Sequence, residues 1–202
     1  MSLRYWTADL HLGHANIALY CKRPWLKDSY LGPDGRWACT ETKDECALRM
    51  NTGLICNMNM RITTEDTVVH VGDFCCRGGE RGVLGVKTKA KEWEERLNGK
   101  WVFITGNHDD NNTVKHTIDT AVVSLCGVRA LVQHRPIERA CEVPDFCDFV
   151  ICGHVHDKWK INWVEGICMV NVGVDANRFI PLTDNEVFER YSAAKRAAAG
   201  KA

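Results

Sequence analysis

The chain has 202 residues, with 26 Lys plus Arg balancing 26 Asp plus Glu, so its formal net charge is zero. That length suffices for one domain with a substantial core and no disulfide staples, and the even charge leaves only a local basic face as a route to nucleic acid. The odd count of 11 cysteines, an N-terminus without a signal-peptide core, and no apolar run near the roughly 20 residues of a membrane helix predict a reducing cytoplasm and no membrane.

In chain order, residues 3–7 read as a strand, and Asp9-Leu10-His11 and Gly13-His14 follow it. An Asp and a His two apart on an irregular loop can both point at one metal ion, and Asp9 can equally cap a helix start. Residues 15–21 predict a short helix closed by Arg23-Pro24. Residues 25–40 mix Gly, Pro, Asp and aromatics without a period, which predicts a long surface loop that shapes a pocket. Its Trp25, Tyr30 and Trp37 either stack on a base or pack the loop onto the domain. Thr42 and Glu45 predict a capping box, after which Ala47, Leu48, Leu54, Ile55 and Met58 recur at helical spacing. Thr67 to Val71 is a strand that ends in Gly72-Asp73, and His70 inside it reads as a satisfied core or edge histidine.

Residues 86–97 predict an amphipathic helix stopped by Asn98-Gly99. The apolar run 101–104 is a buried strand, and it delivers Gly106-Asn107-His108-Asp109. Residues 111–119 are polar without a recognisable element, and His116 among them reads as exposed. Two β-branched runs, 121–125 and 128–132, form a hairpin around Cys126-Gly127, and its exit carries His134. The strand 149–152 ends in Gly153-His154-Val155-His156, whose two histidines lie on one side of an extended chain. A last strand, 167–172, precedes Gly173 and Asp175. A second capping box, Thr183 with Glu186, opens a terminal helix that frays into a tail over 190–202. With no internal repeat and no linker, the expectation is one domain spanning 1–202.

Asp9, His11, Asp73, Asn107, His134, His154 and His156 thus all fall at strand ends. Carboxylate, imidazole and amide donors without a thiolate suit Mn, Fe or Zn, and so many donors exceed the needs of one ion. Two ions bridged by a carboxylate, with a water between them as hydroxide, are the natural reading.

The order Asp9-x-His11, Gly72-Asp73, Gly106-Asn107-His108, His134 and Gly153-His154-x-His156 resembles the calcineurin-like metallophosphoesterase superfamily. The opening Asp-x-His-x-Gly-His-x-Asn-Ile and the closing Asn171-Val172-Gly173-Val174-Asp175 are similar to its small bacterial and phage members. The resemblance implies an α/β fold, a four-layer α/β/β/α sandwich of two mixed β-sheets flanked by helices. It implies that Asp9, His11 and His156 hold one divalent ion, that Asn107, His134 and His154 hold another, and that Asp73 bridges them, with Mn favoured over Fe or Zn. His108 would serve the leaving oxygen as the catalytic imidazole. Arg77 and His14 are expected to face the substrate, the former also suiting a surface salt bridge and the latter a helix start. Related phosphatases carry a second Asp where this chain has Cys76, and Asp109 is the candidate to orient His108 in its place. The implied activity is hydrolysis of small or nucleotide phosphodiesters. Monoester hydrolysis, a nuclease and, from another class, a non-catalytic scaffold stand as alternatives; the scaffold predicts eroded donors, and here every donor of the pattern stands.

Overall fold

The computed structural model describes residues 2–76, 89–109, 114 and 117–200. Within them β1 (Arg4–Thr7), β2 (Thr67–Val71), β3 (Lys100–Ile104) and β4 (Thr117–Ile118) run parallel, and β10 (Leu182–Thr183) pairs antiparallel with β1, giving the order β10-β1-β2-β3-β4. A second sheet joins β5 (Thr120–Leu125), β6 (Val128–Gln133), β7 (Phe149–Cys152), β8 (Ile161–Val164) and β9 (Ile167–Asn171) in the order β5-β6-β7-β9-β8. Its outer pairs are antiparallel, while β6, β7 and β9 run parallel in the middle.

The period-two alternation of the strands sorts their side chains between two faces. Trp6, Val69, Val71 and Ile104 of the first sheet join Val132, Phe149, Ile151, Cys168 and Val170 of the second in the core between the sheets. Each such burial contributes about 1.5–3 kcal/mol relative to exposure. The alternate residues Tyr5, Val68 and Phe103 pack under α1 (Ala15–Tyr20), α2 (Thr40–Arg61) and α3 (Ala90–Glu94), chiefly against Met50, Leu54 and Met58 of α2. On the far face of the second sheet, Leu131, Val150 and Met169 are covered by Ile137, Val143 and Cys147, around a 3-10 turn at Ala140–Glu142. α4 (Asp184–Ala199) adds Val187 and Tyr191 to the core between the sheets, and Tyr191 stacks on Phe149 with ring centroids 4.4 Å apart. The expected sandwich of two mixed sheets with helices outside is the observed architecture.

Several local expectations are corrected. α2 begins two residues before Thr42, with Cys39 as N-cap; Thr42 is its N3 residue and accepts the Cys39 N–H, while Glu45 accepts the Tyr30 hydroxyl instead. Of the helix expected over 86–97, the described residues 89–97 are helical at Ala90–Glu94, and residues 77–88, Arg77 among them, lie outside the described ones, as does His116. The short strands β4 and β8 fall where no strand was expected; each adds one edge to a sheet. α4 starts at Asp184, with the expected Thr183 cap in place, and stays helical through Ala199. The 25–40 segment is packed down: Tyr30 is buried, Trp25 meets Phe179 edge-on at 4.9 Å, and the Trp37 indole N–H donates to Asn16 at 2.8 Å. None of the 11 cysteines is in a disulfide, and no described helix is long and apolar enough to cross a membrane.

Candidate metal centre

Parallel strands deliver their carboxyl ends to one rim, where open α/β sheets place their ligands. Here the two sheets share that rim, because Ala8 just past β1 bridges Gly173 just past β9. Backbone bonds then lace the loops together: Asp9 N–H donates to Gly72 O, and Gly153 N–H to His134 O, both at 3.0 Å.

The rim brings together every strand-end donor singled out in the sequence. Asp9, His11 and His156 place ligand atoms within 4.8 Å of one another, and so do Asp73, His134 and His154. The rings of His11 and His156 stack at 5.2 Å, and those of His134 and His154 meet edge-on at 5.2 Å. Asp73 stands between the groups, its Oδ2 lying 3.4 Å from both His11 Nε2 and His134 Nε2. Asn107 Oδ1 lies 3.1 Å from His134 Nε2.

The tautomers follow from the outer bonds. His134 Nδ1 is 2.8 Å from Val71 O and His156 Nδ1 is 2.8 Å from Asp175 Oδ2, so in the neutral ring each Nδ1 carries the proton and each Nε2 offers its lone pair. His134 Nε2 then faces the oxygens of Asp73 and Asn107, three acceptors that only an added proton or a cation reconciles. His11 Nε2 is likewise buried with no hydrogen-bond partner among the described residues. A donor set of this kind fits divalent cations.

The electrostatics agree. Burial pushes the Asp9 carboxyl up to about 6, against the opposing pull of His134 and His156. Burial acts on Asp73 in the same sense, yet the His134 hydrogen bond and the charges of His134 and His11 hold it well below the carboxylate range. Desolvation drives His11 well below its ordinary value. His156 goes the other way, up to about 10, because its bond to Asp175 outweighs burial.

Backbone strain concentrates at the same place. Ten described non-glycine residues have positive φ, and five of them are Asp9, His11, Asp73, His154 and His156. Left-handed backbone costs a non-glycine residue about 1–3 kcal/mol and persists where the surroundings enforce it, typically at functional sites. Glycines make room beside them. A Cβ on Gly106 would overlap Asp73 N, and one on Gly153 would stand 2.7 Å from Asp9 Oδ2.

Asp109 acts on this backbone. Its Oδ2 accepts the N–H groups of Asp73 and Gly106 at 2.9 and 2.8 Å, and its Oδ1 accepts that of Phe74 at 3.1 Å. These bonds clasp the β2 and β3 loops together. The exposed His108 stands at the mouth, its ring edge-on to His11 at 5.5 Å, and its backbone N–H donates to Asp73 Oδ1 at 2.9 Å. His14, half-buried, tilts against His11 with ring centroids 5.7 Å apart.

Sequence reasoning missed the supports. Arg23, 1% exposed, bonds both carboxylate oxygens of Asp175 and the backbone oxygens of Asp9 and Leu10. Asn171 donates to His156 O and Trp159 O and accepts from Gly173 N–H. Asp175 was findable, since it follows an apolar strand as Asp9 and Asp73 do. Arg23 was not, because nothing local announces a partner 152 residues away.

The calcineurin-like phosphoesterase superfamily domain matches residues 51–179, a span that holds Asp73, Asn107, His134, His154 and His156. The uncharacterized protein MJ1445 of Methanocaldococcus jannaschii is 30% identical over 158 residues, covering 77% of this chain and 72% of that protein. Among solved structures, the protein of unknown function AQ665 from Aquifex aeolicus superposes with a TM-score of 0.59 at 19% identity, covering 94% of this chain and 99% of that one. The phosphoesterase YfcE from E. coli overlaps more loosely, with a TM-score of 0.40 at 18% identity over 83% of this chain and 77% of its own. The strand-end donors and the match to the family domain agree: the chain belongs to the calcineurin-like phosphoesterase superfamily.

Proposed function

We propose that the chain hydrolyses phosphoesters with two divalent cations, Mn²⁺ in preference to Fe²⁺ or Zn²⁺, and that its substrates are small or nucleotide phosphodiesters. The observation that carries this reading is that Asp73 converges with His134 and His154 in one three-residue donor group while its Oδ2 lies 3.4 Å from His11 of the other, Asp9, His11 and His156. Asp9, His11 and His156 would hold one ion, and Asn107, His134 and His154 the other, with Asp73 shared between them. When bound, such a pair supplies Lewis-acid stabilisation of phosphoryl charge and an activated water.

The chain's own residues supply the rest. The bonds from His134 Nδ1 to Val71 O and from His156 Nδ1 to Asp175 fix which ring nitrogen faces inward. His108, exposed beside His11, would give a proton to the leaving oxygen, which otherwise departs slowly as a bare alkoxide. The test is hydrolysis of matched chromogenic diester and monoester substrates by chelator-stripped protein, reloaded separately with Mn²⁺, Zn²⁺ and Fe²⁺, beside His108→Ala. Cation-dependent turnover that drops about 10²–10⁴-fold in the variant is the expected result. If no cation restores turnover on either ester while the folded protein still binds two ions, hydrolysis is not its function.

A further inference from the structure

Beside the two donor groups lies a third of different chemistry. His11, His14 and Cys76 also place ligand atoms within 4.8 Å of one another. The register of the rim builds this group: Leu12 bridges Cys75, and Cys76 N–H donates to Leu12 O at 3.0 Å, which sets Cys76 against the His11 to His14 segment. Both imidazoles of the group carry a buried ring nitrogen. His11 Nε2 and His14 Nδ1 are buried atoms with no hydrogen-bond partner among the described residues, and His11 as a whole is 2% exposed.

We propose that His11, His14 and Cys76 form a soft-cation site that captures Zn²⁺. Two imidazoles and a thiolate are a borderline-soft donor set that selects zinc over manganese, whereas the groups of Asp9, His11 and His156 and of Asp73, His134 and His154 are built from carboxylates and imidazoles. Three protein ligands leave the fourth tetrahedral position of zinc open to solvent. A cysteine ligates zinc as its thiolate, so Cys76 would balance one charge of the ion. His11 belongs to this group and to that of Asp9 and His156. Zinc captured here therefore draws on a residue the other site needs, and excess zinc inhibits where manganese supports turnover. The capture site itself stands without hydrolysis; only the inhibition rests on the proposed function.

Cobalt replaces zinc in such sites and reports its ligands by colour. Chelator-stripped protein titrated with Co²⁺ is expected to show thiolate-to-cobalt charge-transfer absorption in the near ultraviolet. Cys76→Ser removes that absorption and keeps the weaker visible bands of the oxygen and nitrogen sites, while His14→Gln shifts it to higher Co²⁺ concentration. Cys21→Ser is the essential control, because Cys21, His156 and Asp175 also converge. Loss of the absorption in that variant alone, its persistence in Cys76→Ser, or its absence from the parent protein would each overturn the proposal.

A second measurement needs no variant. In the parent protein, Zn²⁺ but not Mn²⁺ is expected to slow alkylation of Cys76, read by peptide mass mapping, while the exposed Cys39 and Cys126 react as before. Equal rates with both ions refute the site. Turnover with Mn²⁺ in the same samples keeps the two ideas apart, since a dead enzyme that protects Cys76 only with zinc fails the function and passes the site.

Discussion

Arg23 and Asp175 meet as a two-pronged ion pair, Nε to Oδ1 and Nη2 to Oδ2, each 2.8 Å long, with side-chain exposures of 0% and 3%. The same guanidinium donates to Asp9 O at 2.7 Å and to Leu10 O at 3.0 Å. Asp175 Oδ2 in turn receives His156 Nδ1. One buried cation thus ties the backbone that carries Asp9 to the carboxylate that sets His156, which joins the two sheets at the point where their donors converge.

Arg23→Ala should therefore be among the most damaging single changes to stability. It strands a buried carboxylate and two backbone carbonyls, and breaking a buried pair from one side costs about 3–5 kcal/mol. Lysine restores the charge without the planar fork, so Arg23→Lys should recover only part of the loss. Urea unfolding at neutral pH measures both; an alanine variant within 1 kcal/mol or so of the parent would mean that the pair does not organise the rim.

Asp175→Asn tests the other half of the pair. The amide keeps an oxygen for His156 Nδ1–H but removes the charge that makes the ring a strong donor. Loss of such an outer partner typically weakens cation affinity about 10–100-fold. The effect should fall on one of two Mn²⁺ equivalents, because Asp73, His134 and His154 do not contact Asp175. Calorimetric titration that finds both equivalents weakened alike would contradict the division of donors.

The metal-free protein should lose stability as pH rises past neutrality. His156 has its value raised from 6.5 to about 10 by the Asp175 bond, against burial. A raised histidine contributes stability that is fully present below 6.5 and is lost as pH climbs through about 10, because only the folded state holds the proton in that window. A cation replaces that proton, so Mn²⁺ should flatten the alkaline decline. Thermal melts of chelated and Mn²⁺-loaded protein from pH 6.5 to 10 read the difference, and parallel slopes would show that the ion does not reach His156.

Much of this was legible in the chain, and the limits have physical causes. Asp9, Asp73, Asn107, His134 and the pair His154 and His156 stood out because apolar runs mark strands and polar clusters mark their ends, a purely local signal. Helix starts were less legible: Thr42 was a plausible cap, yet the loop folded over α2 lets the helix begin earlier, and Glu45 serves Tyr30 instead. Asp109 stood out only as the neighbour of His108, and its bonds to the N–H groups of Asp73, Phe74 and Gly106 across the rim had no local signal. Arg23 lies between a helix and a proline and looks like any surface charge. Each of these was decided by contacts distant in sequence, which no local pattern carries.

His70 carries the last prediction, because it is not the satisfied core histidine its sequence suggests. It is fully buried on β2, its ring lies against Phe74, Trp101 and Phe103 at 5.3, 6.2 and 5.9 Å, and neither ring nitrogen has a hydrogen-bond partner among the described residues. A buried polar group left unmatched costs about 1–3 kcal/mol, and an apolar side chain of similar volume removes that cost. His70→Leu should therefore stabilise the protein by about that amount at neutral pH. Burial also lowers the His70 value from 6.5 to about 3. A depressed histidine loses stability as pH falls below 6.5, since the unfolded chain binds a proton that the folded one refuses until about 3. The gain from leucine should thus widen by about 2 kcal/mol at pH 5. Urea midpoints at both pH values decide it. A variant less stable at each would mean that the aromatic cage is shaped to the imidazole and that packing outweighs the unmatched nitrogens.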